Sequence, residues 1–286
     1  MKRSVTNELW YKMVQSGSRL NLFIGINVIV FVVTSLIAVA EFLFTRETPV
    51  ADMVTLSLSV PPYLPSLLKK FWTPLTYMFL HRELFHFFFN MLWLYWMGRI
   101  FEDFLNPRQF TFVYIAGGLA GALFFVAAYN LLPAFSDSVA FAGPLLGASA
   151  SVMAIVAATA TLLPDYALRL LFFGDVKLKY LAIAYILLDI IGITGLNAGG
   201  SLAHLGGAFL GFIFIKQLQK GNDWSKIFTR KKKKLKIIRN NNYGKGPGTV
   251  PDQEVIDNIL DKISKSGYNS LTKKEKEQLF KASNKE

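Results

Sequence analysis

Six stretches of mainly apolar residues follow one another along the chain, separated by segments that carry charges, prolines or glycines. A helix needs roughly 20 apolar residues to cross the hydrocarbon core of a bilayer, and each stretch meets or approaches that length. The predicted spans lie near residues 21–44, 82–99, 109–132, 147–163, 178–195 and 203–219. The pattern predicts an all-α fold, a polytopic bundle of six transmembrane helices.

Beyond the sixth stretch the chain becomes polar and basic, which predicts a separate cytoplasmic part. Its glycines and asparagines favour a flexible linker, after which apolar residues at helical spacing return. Thr272 followed by Glu275 is typical of a capping box before a second short helix. We expect a leader at 1–19, a six-span membrane domain at 20–220, a basic flexible linker at 221–250 and a small helical hairpin at 251–286.

Composition agrees with a membrane protein and excludes some chemistry. Hydrophobic residues make up 52% of the chain, which is too apolar for an ordinary soluble domain. The chain contains no Cys, so disulfides and thiol nucleophiles are excluded.

Basic residues set the expected orientation. Lys and Arg cluster before the first span, after the second, after the fourth and after the sixth. The positive-inside rule places such segments, and therefore both termini, in the cytoplasm. The loop before span two departs slightly from this pattern because it carries Arg46, Lys69 and Lys70. The run Arg230–Lys234 predicts contact with anionic lipid, and we expect no nucleic acid partner.

Polar residues stand near the starts of spans two, four and six, where membrane helices are normally apolar. They are the His86/Asn90 pair, Ser149 and His204. Even-numbered spans run in the same direction, so their starts lie at one depth on one side of the membrane. Asn90 follows His86 by four residues, which places both on one helix face. A serine, a candidate base and two hydrogen-bond donors at one level predict a hydrolytic site.

These residues also have structural interpretations. Taken alone, Ser149 at a helix start is typical of an N-cap or of a hydrogen bond within the membrane. His204 is harder to explain structurally, because burying an ionisable residue without a partner is costly. Gly207 and Gly211 share its helix face and predict a closely packed neighbouring helix. Ser151 is a rival nucleophile, but it lies about 200° around the helix from Ser149.

The histidine spacing does not favour a metal. His81 and His86 are five residues apart, whereas the zinc-protease pattern needs histidines four apart. His81 is also expected to point about 140° away from His86, into a different environment. The C-terminal spacing is vaguely like a calcium loop, but lysines and a serine stand where carboxylates are needed. The sequence predicts no metal and no cofactor.

Asp189 in the fifth span has two interpretations. It lies far enough along its helix to complete a Ser-His-Asp triad with Ser149 and His204. Alternatively, it is a buried acid bonded to a loop or to backbone, and this second interpretation is the one we favour from the sequence.

The ordered set of motifs resembles the rhomboid family of intramembrane serine proteases. These motifs are His81-x4-His86-x3-Asn90, Gly147-x-Ser149 and His204-Leu205-Gly206-Gly207, flanked by Trp72-Thr73-Pro74 and Gly98-Arg99-x-x-Glu102. The resemblance covers roughly residues 20–220. One departure is Ala150, where the family commonly has glycine. Either its methyl group pushes spans four and six slightly apart, or alanine is small enough for close packing. The C-terminal hairpin resembles an extension of some bacterial rhomboids, which implies an integral protein of a bacterial cytoplasmic membrane.

The resemblance implies a serine endopeptidase that cleaves the transmembrane helices of protein substrates near the outer face. Ser149 would be the nucleophile and His204 its general base, a dyad without an obligatory carboxylate. His86, Asn90 and the Ser149 backbone N–H would form the oxyanion hole. The supporting residues would be Gly147, Ala150, Gly207 and Gly211. Two other interpretations remain open: a catalytically inactive rhomboid-like protein that binds membrane clients, and a transporter with polar residues at mid-membrane.

Overall fold

The computed structural model describes residues 7, 11, 15–137, 139, 142–170, 174–228 and 253–283. Most of the predicted leader and linker, including Arg230–Lys234, lies outside the described residues. The chain forms two compact units, Met1–Arg230 and Lys231–Glu286.

The described part of the chain is largely helical. Its helices are α1 (Arg19–Thr45), α2 (Pro49–Leu58), α3 (Leu64–Lys69), α4 (Thr73–Thr76), α5 (Leu84–Phe104), α6 (Pro107–Leu131), α7 (Pro133–Ser136), α8 (Ser149–Leu162), α9 (Leu178–Gly192), α10 (Ala198–Gln219), α11 (Gln253–Ser266) and α12 (Lys273–Ser283). Short 3-10 turns occupy Tyr77–Phe79, Trp224–Phe228 and Tyr268–Ser270. Strands β1 (Ala167–Leu170) and β2 (Gly174–Lys177) form an antiparallel hairpin with Ala167 opposite Lys177.

The six predicted spans correspond to α1, α5, α6, α8, α9 and α10, and the all-α membrane bundle is confirmed. By length and composition, three of the described helices, α1, α6 and α10, are long and apolar enough to cross a membrane. Helices α8 and α9 are shorter, with 14 and 15 residues.

Helix α8 is the centre of the bundle. It contacts α5, α6, α9 and α10, and every residue from 150 to 160 is buried. A helix that is apolar on all sides is stable where other helices surround it. The enclosure of α8 explains why its sequence lacks an amphipathic stripe, and it fixes the position of Ser149, the first residue of the helix.

Large apolar side chains cover the outside of the bundle. On α1, Leu36 and Leu43 are 63% and 74% exposed, and on α9, Leu188 and Ile191 are 67% and 70% exposed. Apolar surface on this scale would be unfavourable in water and is typical of a membrane-facing protein. The first unit is therefore an integral membrane domain.

A carboxylate links the end of α5 to the start of α1. Glu102 accepts hydrogen bonds from the Ser18 hydroxyl at 2.7 Å and from the backbone N–H groups of Arg19 and Leu20 at 2.7 and 3.0 Å. The first N–H groups of a helix have no partner within the helix, and a negative charge there is stabilising. Glu102 thus holds the start of α1 against the end of α5.

The second unit contains the predicted hairpin of α11 and α12. Its small core includes Ile259 and Leu271, which are buried, and Gly267 turns the chain with a φ of 76°. The predicted capping box is present, because the Thr272 N–H donates to Glu275 at 2.7 Å and the Glu275 N–H donates to Thr272 Oγ1 at 3.4 Å.

The hairpin is expected to lose stability in acid through Glu275. The Thr272 backbone N–H, Lys262 and the Thr272 hydroxyl lower the pKa of this carboxyl from 4.5 to about 2. A depressed folded-state pKa gives stability above pH 4.5 that is lost as the pH falls toward 2. Hydrogen–deuterium exchange of the full chain, corrected for the intrinsic rate, should therefore show falling protection of α12 over this range. Glu275→Gln should remove the pH dependence, whereas Glu277→Gln, which breaks only a surface pair with Lys281, should keep most of it.

Candidate active site

Ser149 is held at the entrance of α8 by contacts to the preceding residues. The Gly147 N–H donates to the Tyr77 carbonyl at 3.0 Å, and the Ala148 N–H donates to His81 Nε2 at 3.3 Å. Gly147 adopts a φ of 119°, which favours glycine. Ala148, not Ser149, is the N-cap, so the N-cap interpretation of the serine is wrong. The Ser149 backbone N–H is among those at the helix start that have no partner within the helix.

His86 lies beside Ser149 across Gly147. A Cβ atom added to Gly147 would lie 3.0 Å from His86 Cε1, 3.3 Å from His86 Nε2 and 3.8 Å from Ser149 Oγ. The imidazole of the second span and the hydroxyl of the fourth therefore flank the same glycine. Any larger residue at this position would fill the space between them.

Asn90 is buried one turn further along α5. Its Nδ2 donates to the His86 carbonyl at 2.9 Å. Because an amide nitrogen carries two hydrogens, this bond leaves one N–H for another acceptor.

His204 on α10 is paired with the acid of the fifth span. Its Nδ1 lies 2.8 Å from Asp189 Oδ1, and Asp189 is 6% exposed. The prediction that Asp189 bonds to a loop or to backbone is wrong. The ring of Tyr185, one turn before Asp189, packs edge-on against His204 with centroids 6.2 Å apart.

The glycines of α10 allow it to contact the α8 backbone. A Cβ atom added to Gly207 would lie 2.0 Å from the Ala150 carbonyl oxygen, and one added to Gly211 would lie 2.1 Å from the Ala154 carbonyl oxygen. The close packing predicted from these glycines is present.

Ala150 does not separate these two helices, so of the two alternatives the close packing is the one observed. Its methyl group lies against α6, where a Cβ atom added to Gly121 would be only 2.5 Å away. The contact with α10 is made by the Ala150 backbone. A glycine on α6 therefore accommodates the additional methyl group.

A cavity of about 790 Å³ joins the predicted residues. Its lining includes His86, Asn90, Ser149 and His204. His86 and Asn90 come from α5, Ser149 from α8 and His204 from α10. Arg82 and Glu83 also line the cavity and are exposed, so charged side chains stand where its lining meets the surface.

Ser151, the rival nucleophile, faces away from this cavity. It is fully buried, with its Oγ 3.9 Å from Met78 Sδ. The prediction that Ser151 points away from Ser149 is therefore confirmed.

Several site residues were missed by the sequence argument. His81 was expected in a different environment, yet its ring packs edge-on against His86 with centroids 5.6 Å apart. Because the Ala148 N–H donates to His81 Nε2, this nitrogen carries no proton and the ring acts as an acceptor. Tyr185 and Asn197 also line the cavity. Aromatic residues within spans and amide residues at helix starts are common, so the sequence did not distinguish Tyr185 and Asn197.

A membrane bundle that brings a serine, two histidines and an amide around one cavity defines a class, polytopic membrane proteins with a polar cavity inside the bundle. Within this class the chain belongs to the rhomboid family, because the Rhomboid domain family matches residues 68–220, more than half of the chain. The hairpin separately matches a family of unknown function (DUF6576) over residues 250–285.

Curated relatives support the same family. RHOMBOID-like protein 12, mitochondrial, from Arabidopsis thaliana is 34% identical over 52% of this chain and 47% of its own length. Presenilin-associated rhomboid-like protein A, mitochondrial, from Danio rerio is 30% identical over 59% of this chain and 43% of its own length. Inactive RHOMBOID-like protein 8 from Arabidopsis thaliana is 36% identical over 29% of this chain and 23% of its own length. The chain spans less than half the length of each.

Proposed function

We propose that this chain is an intramembrane serine endopeptidase that cleaves transmembrane helices of other membrane proteins. The observation that carries the proposal is the shared cavity of Ser149, His204, His86 and Asn90 inside a membrane bundle. A protein that only packs against clients needs none of these four polar groups at one point. Holding such polar groups inside a membrane bundle is costly, which favours a chemical role.

In the proposed reaction, Ser149 is the nucleophile and His204 is its general base. A serine hydroxyl is a weak nucleophile until an adjacent base removes its proton. His204 Nδ1 is engaged by Asp189, so Nε2 is the ring nitrogen that accepts this proton. The Ser149 oxygen then attacks the scissile carbonyl, and the same imidazole returns the proton to the leaving amine. Water from the cavity hydrolyses the resulting acyl-enzyme.

The carbonyl oxygen becomes negatively charged during this attack and needs donors. The Ser149 backbone N–H, the His86 ring and the remaining Asn90 N–H are our proposed donors, because Ser149, His86 and Asn90 line the same cavity. Donors that are already oriented toward this oxygen stabilise its charge without having to reorganise during the reaction. Gly147 leaves the space that the oxyanion requires.

The proposed partners are transmembrane proteins and the bilayer itself, with both termini in the cytoplasm and cleavage near the outer face. The basic run Arg230–Lys234 is proposed to contact anionic lipid. A bacterial cytoplasmic membrane is the proposed location, although two of the relatives carry mitochondrial names.

A second candidate is an inactive member of the family that binds membrane clients. The similarity to a relative named inactive favours it. That similarity covers 29% of this chain, and the four polar residues of the cavity argue for the active alternative.

A fluorophosphonate probe should separate the two candidates without a known substrate. The purified protein in liposomes is expected to become covalently labelled, with the adduct on Ser149 in peptide mapping. His204→Ala should lose labelling because the serine is no longer activated. Ser151→Ala is the matched control and should retain it. Absence of labelling in a folded protein, or an adduct elsewhere, would favour the inactive candidate.

A further inference from the structure

Asp189 has a contact that a dyad mechanism leaves unexplained. It lies in the last turn of α9, it is 6% exposed, and its Oδ1 is 2.8 Å from His204 Nδ1. Its other oxygen, Oδ2, is buried and has no hydrogen-bond partner among the described residues. A carboxyl group is expensive to hold inside a membrane protein.

The contact determines which nitrogen of His204 carries the proton. An ionised carboxylate can only accept hydrogen bonds, so Nδ1 must be the protonated nitrogen when it faces Asp189. Nε2 then keeps its lone pair, which is what a base for Ser149 requires. The opposite tautomer would present an N–H to the serine and could not remove its proton.

Neighbouring groups hold the ring in the same orientation. Tyr185 packs edge-on against His204 and in turn against Trp93 of α5, with centroids 6.2 and 5.9 Å apart. Tyr185 and Asp189 are four residues apart and share one face of α9. Helix α9 thus contacts His204 both through Asp189 at Nδ1 and through the ring of Tyr185.

We propose that Asp189 is a positioning residue that makes the Ser149/His204 pair a triad, by fixing the tautomer and orientation of His204. Its effect on cleavage rests on the proposed function, whereas its effect on the tautomer does not. Asp189 itself stays outside the cavity lining and acts only through the histidine.

The test compares Asp189→Asn with wild type in liposomes. The amide is nearly isosteric but can donate to Nδ1, which moves the ring proton to Nε2. In a soluble serine protease, the same change leaves the geometry intact and lowers kcat about 10⁴-fold. We expect kcat for a model transmembrane substrate to fall about 10²–10⁴-fold, with KM little changed.

Leu188→Ala, on the same helix but exposed at 67%, is the matched control and should keep both constants.

Nitrogen-15 NMR of the histidine rings reports which nitrogen of His204 carries the proton. Replacing a residue that only supports the fold would not change this tautomer. The chain has three histidines, so the His204 signals are assigned by comparison with His204→Gln. Wild type should show a protonated Nδ1 and Asp189→Asn a protonated Nε2. If Asp189→Asn does not fold, Asp189→Ser provides the same comparison without a carboxylate.

The outcomes are separable. If wild type neither cleaves nor reacts with a fluorophosphonate, the proposed function fails, and the NMR comparison still decides the positioning role. An unchanged tautomer together with an unchanged kcat in a folded Asp189→Asn protein would overturn the inference.

Discussion

Gly207→Ala is expected to destabilise the membrane domain, although alanine is the better helix former by about 1 kcal/mol. The added Cβ atom would lie 2.0 Å from the Ala150 carbonyl oxygen, closer than non-bonded atoms approach. Helices α8 and α10 must therefore move apart at the point where their backbones touch. Overpacking of this kind typically costs about 1–3 kcal/mol, and α8 has little freedom to adjust because other helices enclose it.

The same substitution should lower activity more than stability alone explains. Ala150 directly follows Ser149, so a shift of α8 changes the distance from the serine to His204. A displacement of about 1 Å at a reacting group can cost about 10²-fold in rate. The expected result is a lower unfolding midpoint in denaturant and reduced cleavage by the folded fraction.

Gly143→Ala is the matched control for this prediction. A Cβ atom at Gly143 meets nothing within 4 Å, so the same chemical change should leave the unfolding midpoint in place. Equal midpoints for Gly207→Ala and wild type would mean that α8 and α10 are packed less closely than the structure indicates.

The arrangement of the bundle could be predicted largely from hydrophobic length and order. Six apolar stretches gave the six main helices, and their alternating direction brought Ser149, His204, His86 and Asn90 to one cavity. The glycine spacing in α10 also predicted a close neighbour. These inferences succeeded because they depend on local composition and on the up-and-down path of a membrane chain.

The contacts between side chains of different helices could not be predicted in this way. Asp189 and His204 are separated by 15 positions, and nothing in their sequence neighbourhoods shows that α9 turns the acid toward the base. Similarly, the methyl group of Ala150 was expected between α8 and α10, whereas the rotation of α8 directs it to Gly121 on α6. The β1–β2 hairpin was also missed, since Ala167–Lys177 contains both charged and apolar residues without a clear alternation.

The loss of cleavage in Ser149→Ala is the largest effect on activity that we expect. Removing the nucleophile of a soluble serine protease lowers kcat about 10⁶-fold, because no other group forms the acyl-enzyme. The alanine methyl group occupies less space than the serine side chain and leaves the α8 backbone, including the proposed oxyanion donor, unchanged. Folding should therefore be retained while cleavage falls to background.

The most direct measurement reconstitutes purified wild type and Ser149→Ala in liposomes with a model transmembrane substrate and follows its cleavage. We predict cleavage by wild type and none above background by the variant, with equal amounts of folded protein in both samples. Ser151→Ala, measured alongside, should cleave like wild type. Equal cleavage by wild type and Ser149→Ala would contradict the assignment of Ser149 as the nucleophile.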